Sequence, residues 1–138
     1  MNRMELRQLA EDRILDAEAL LAAGRWSGAY YLAGYAVECG LKACIAKLTS
    51  QHDFPPKPKS IYDCYSHEIE KLLKTAGLTA QRDADAAADP ALDANWGFAK
   101  DWTEESRYER KTKDQAQELI AAITDAAHGV LPWIKQRW

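Results

Sequence analysis

Two long stretches of helical period stand only a few residues apart at the N-terminal end of the chain, and this most limits the possible fold. From Met4 to Ala23, Leu6, Leu9, Ala10, Arg13, Ile14, Ala17, Leu20 and Leu21 recur at spacings of three and four, and Gly24 is placed to stop the helix. From Trp26 to about Leu48 the stripe resumes as Trp26, Tyr30, Ala33, Val37, Gly40, Leu41, Cys44 and Leu48. The "GRW" junction permits only an antiparallel hairpin of two long helices. Gly28, Gly34 and Gly40 lie inside the second helix, where each costs roughly 1 kcal/mol relative to Ala. Glycines survive there when a neighbour must come very close. The second helix is therefore expected to be the most tightly surrounded element.

Further along, "SQHDFPPKPKS" at residues 50–60 reads as a loop on its prolines. Ser66 is placed to cap a third helix, "HEIEKLLKTAG", with Ile69, Leu72 and Leu73 inward and Gly77 at its end. "RDADAAADPALDANW" suggests a short helix and a loop around Pro90. A short helix over "NWGFAKDW" follows, ending near "TEESRYERKT". Trp96 and Trp102 are six apart, so one is expected in the core and the other at an interface. A last helix from about Asp114 carries Leu119, Ile120, Ile123, Ala127, Val130, Leu131 and Ile134, with a kink or separate turn at Pro132. No strand-like alternation and no linker appears. The expectation is one all-α domain over residues 1–138, an antiparallel up-and-down bundle with additional short helices.

Composition narrows the function classes. With 47% apolar and 28% charged residues the 138-residue chain is globular rather than disordered. Its formal charge of −3 gives no overall pull toward nucleic acid, so such binding needs a local basic patch. No apolar run is long enough for a membrane span, and the charged start (Arg3, Glu5, Arg7) has no signal-peptide pattern, which points to the cytoplasm. Cys39 and Cys44 lie about 140° apart around one helix and cannot pair with each other. With Cys64 they form no metal-spaced motif, so all three read as structural thiols, and no metal or cofactor is implied.

Glu38 and Lys42 sit within the small, apolar run of the second helix, four apart with the acid first, as suits a helical ion pair. Two readings stand: a solvated pair on the helix edge, or an acid facing a cleft. Arg107, Arg110, Lys111 and Lys113 form the densest basic patch. It is either a solvated face or a phosphate site, with Tyr108 available to stack on a base. His67 at a helix start either packs or contacts a nucleotide.

"AEDRILDAEALLAAGRWSGAYYLAGYAVECGLKACI", then "HEIEKLL", "NW", "SRYE" and a long last helix together resemble a HEPN domain (higher eukaryotes and prokaryotes nucleotide-binding). The resemblance implies a helical bundle that often dimerises, a nucleotide, RNA or partner protein as ligand, and in many bacterial members a nucleotidyltransferase-fold neighbour. It also implies that a polar residue of the second helix, here Glu38, stands near the active arginine, here Arg107. Ribonuclease members carry an arginine followed four to six residues later by a histidine, which would hold the scissile phosphate and move the 2′-hydroxyl proton respectively. Neither Arg107 nor Arg110 has such a histidine; His128 is expected about 30 Å further along the last helix. His52 and His67 precede the segment.

The resulting expectation is a non-catalytic homodimer that binds a nucleotide or RNA phosphate, or a nucleotidyltransferase-fold partner, in a toxin–antitoxin-like or defence setting. Its candidate site residues are Arg107, Tyr108, Arg110, Lys111, Glu38 and His67. The alternatives are a degenerate ribonuclease using Arg107 with a histidine from elsewhere, and a purely structural dimer. The surplus of aromatics (Trp26, Tyr30, Tyr31, Tyr35, Trp96, Trp102) is the sequence argument for dimerisation.

Overall fold

The structure, a computed structural model, describes residues 1–52 and 63–138, and for residues 50–52 the backbone alone. The proline-rich part of the expected loop lies outside the described residues. Asn2 opens α1 (Arg3–Ala22) with a capping box: its side chain accepts from Glu5 N, and Glu5 accepts from Asn2 N. Gly24, at φ 76°, closes α1, and Arg25 leads directly into α2 (Trp26–His52), so the hairpin forms as expected. α2 continues past Leu48, which is exposed and so leaves the expected stripe.

Then come α3 (Ile69–Thr75), α4 (Thr79–Ala88), α5 (Pro90–Lys100), a 3-10 turn (Glu104–Tyr108), α6 (Lys113–Thr124) and α7 (Val130–Lys135). Among the described residues there is no strand. The fold is an all-α bundle.

α2 is its axis. α1, α3, α6, α7 and the 3-10 turn all pack against it, and from Ala33 to Ile45 nearly every residue is buried. Its glycines make that possible. A Cβ on Gly34 would fall within the Trp102 indole, and one on Gly40 would lie 3.1 Å from Ile134 Cγ2. Burial also holds the Cys39 and Cys44 thiols up at about 11, which makes them inert packing groups.

Four expectations need correction. The alanine-rich stretch forms two helices rather than a helix and a loop. Asp89 caps α5 by accepting from Ala91 N and Leu92 N, and Pro90 sits in its first turn, where no N–H is needed. α3 starts at Ile69 without a side-chain cap; Ser66 Oγ accepts from Glu68 N just ahead of it. Trp96 and Trp102 are both buried, because α5 ends at Lys100 and the turn at Asp101 frees Trp102 from the helical register. The last helix stops at Thr124, so His128 lies in the connection to α7 and not on α6.

Candidate functional site

The basic segment is pinned at three points and exposed between them. Trp102 and Ser106 are buried, and Lys111 N donates to Ser27 Oγ at 2.9 Å, which clips the chain to the start of α2. Beyond it Thr112 and Gln115 form a reciprocal capping box at the start of α6. Arg107, Tyr108, Glu109 and Arg110 are thereby left facing outward.

These side chains divide into two groups. Arg107 lies 4.8 Å from the Tyr108 ring centroid, and Tyr108 and then Tyr31 favour its charged form and raise its pKa further. Lys111 turns the other way. Its ammonium is 2.8 Å from the Glu109 carboxylate and 4.6 Å from the Tyr30 ring centroid. Arg110 borders a cavity with Arg25 and Trp26, and among the described residues it makes no ion pair. Arg107, Arg110 and Lys111 do not share one helical turn, since residues 109–112 are non-helical.

Glu38 is buried, so the solvated-edge reading fails. Its Oε2 is 3.4 Å from Lys42 Nζ, and its Oε1 is 2.8 Å from His67 Nδ1. The other ring nitrogen of His67, Nε2, is 3.2 Å from Glu104 Oε2. Each nitrogen of the ring therefore faces a carboxylate. Glu38 makes no ion pair with Arg107. It acts on that segment at one remove, because His67 links it to the 3-10 turn that carries Arg107. The sequence could show the partner four residues away but not the one in the connection ahead of α3.

His67 and Glu104 also edge a cavity of about 700 Å³ with Glu68, Glu70, Lys100 and Trp102. Its lining is predominantly acidic, with Glu68, Glu70, Glu104 and Glu105 against Lys100. Among the described residues no group of three or more His, Cys, Asp or Glu could hold a metal ion.

The HEPN domain family matches residues 4–136. The chain belongs to the HEPN domain family. These are nucleotide-binding and ribonuclease-like domains. No curated protein and no solved structure matches the chain. As a HEPN protein it has the helical bundle, and no histidine follows Arg107 or Arg110 within four to six residues. Among the described residues, no helix is long and apolar enough to cross a membrane.

Proposed function

We propose that this HEPN protein is a non-catalytic, cytoplasmic binding protein that takes a nucleotide or RNA phosphate on the outward strip Arg107–Tyr108–Arg110. It acts as a homodimer, with a nucleotidyltransferase-fold protein as partner in a toxin–antitoxin-like or defence setting. The observation that carries this reading is the exposed Arg107–Tyr108 pair, a permanent cation beside an exposed ring, with no ion pair to Arg107 among the described residues. Such a pair can hold a phosphate and stack a base.

Fluorescence anisotropy with a single-stranded RNA tests it. Binding should weaken as salt rises, and Arg107→Ala with Tyr108→Ala should weaken it further and lower the salt slope by about one contact. Binding unchanged in that variant would overturn the reading.

A second reading is favoured by one contact, His67 Nε2 against Glu104, which brings a histidine to the turn that carries Arg107. On that reading the protein is a ribonuclease with a rearranged site. Cleavage of RNA lost in both Arg107→Ala and His67→Ala would establish it and displace the first.

A further inference from the structure

At the corner where α1 turns into α2 the chain builds a second cationic feature, which the basic segment completes from the other side. Gly24 ends α1 with a left-handed residue, and Arg25 N bonds to Leu20 O at 2.8 Å, which sets Arg25 just ahead of α2. The N–H of Ala29 is already taken by Arg25 O, but Trp26, Ser27 and Gly28 have no earlier helical carbonyl for theirs. Lys111 N is held by Ser27 Oγ, so the 109–112 segment forms the facing wall. Between them lies a cavity of about 530 Å³ bordered by Arg25, Trp26, Ser27, Gly28, Arg110 and Lys111.

The charge in this cavity is unbalanced. Lys111 has Glu109 as its counter-ion, while Arg25 and Arg110 form no ion pair among the described residues. Lys113 adds a further cation 5.8 Å from the Trp26 ring centroid, and α2 has no acidic residue in its first turn. Two guanidinium groups at one cavity repel each other unless an anion lies between them, and their fork geometry suits phosphate oxygens. The cavity is larger than a single small anion requires and falls within the range of small-molecule sites.

We propose that this corner cavity binds an oligophosphate, with Arg25 and Arg110 clamping it from opposite walls. The phosphate chain of a free nucleotide and the 5′-triphosphate end of an RNA offer the same chemistry. The proposal rests on the nucleotide- or RNA-binding reading above and adds to it a phosphate site that shares Arg110 with that strip but uses neither Arg107 nor Tyr108.

Titration calorimetry with tripolyphosphate, adenosine triphosphate and adenosine tests it, with RNA oligonucleotides bearing a 5′-triphosphate or a 5′-hydroxyl as further arms. Tripolyphosphate and adenosine triphosphate should bind at low salt, and adenosine should not. Both arginines are exposed, so Arg25→Ala with Arg110→Ala should keep the helical circular dichroism while weakening tripolyphosphate about 100-fold, roughly tenfold per arginine. Arg107→Ala with Tyr108→Ala should leave tripolyphosphate binding unchanged. Preference for the 5′-triphosphate RNA over the 5′-hydroxyl form would assign the site to RNA ends, and equal binding of the two RNAs would assign it to free nucleotides. Absence of tripolyphosphate binding, or binding that survives loss of both arginines, overturns the proposal. RNA binding lost in the Arg107/Tyr108 variant would then leave the broader reading intact, since Arg110 belongs to both the strip and the cavity wall.

Discussion

The closest packing against α2 occurs at Gly34, where the Trp102 indole occupies the space a Cβ would need. Gly34→Ala gains about 1 kcal/mol of helix propensity but must push aside a fully buried ring. Chemical denaturation should show a net loss of about 2 kcal/mol, and in a Trp102→Leu background the same substitution should cost much less. An equal cost in both backgrounds would mean that the ring is not what excludes the methyl group. The glycine's role was legible in the sequence, because a glycine kept inside a helix signals the close approach of a neighbour. Its partner was not, since Trp102 lies outside α5 and periodicity says nothing about a residue after a helix end. Glu38 was half legible for the same reason: Lys42 is a turn away, whereas His67 comes from the connection ahead of α3.

Among the elements, the junction of α4 and α5 is tied to the connection between α6 and α7 by one contact. Asp89 Oδ2 lies 2.6 Å from His128 Nδ1, while Asp125 Oδ1 accepts from His128 N and Ala127 N. The bond to Asp89 raises the His128 pKa above its ordinary value. His128 in turn holds the Asp89 carboxyl below the usual carboxylate range, and the backbone N–H groups of His128 and Ala127 do the same for Asp125. The raised histidine contributes stability that is complete below its unfolded pKa, about 6.5, and is lost as pH rises through its higher folded value. The lowered aspartates contribute stability that is complete above about 4 and is lost as pH falls through their folded values. Melting temperatures of the native protein and His128→Gln should therefore differ most between about pH 4 and 6.5 and converge toward alkaline pH. A difference that grows above neutrality would refute the pairing. The Asp89–Pro90 step is a local helix-start signal that the reading of a loop around Pro90 passed over, and the Thr112-x-x-Gln115 capping box was not read either. The contact across 39 residues had no local signal.

At the scale of the whole molecule, the aromatic surplus no longer argues for a partner. Trp96 and Trp102 are buried, and Trp26, Tyr30, Tyr31 and Tyr35 pack against the core. Among the described residues, what remains outward is a different set: Met1, Met4 and Leu15 at and on α1, Leu48 on α2, Phe98 on α5, Tyr65, and, beside Arg107, Tyr108. A two-fold interface that included Tyr108 would bring two copies of the basic strip toward one cleft, and a phosphate backbone there would be held from both sides. Two such strips also repel each other, so the same interface should be weaker when no anion is present and tighter with RNA at low salt. Sedimentation at tens of micromolar should give twice the 15.5 kDa chain mass, with RNA shifting the midpoint to lower protein concentration. Arg107→Ala should strengthen the RNA-free dimer by removing that repulsion while reducing the gain from RNA. A monomer at those concentrations, with and without RNA, would leave each strip to bind on its own.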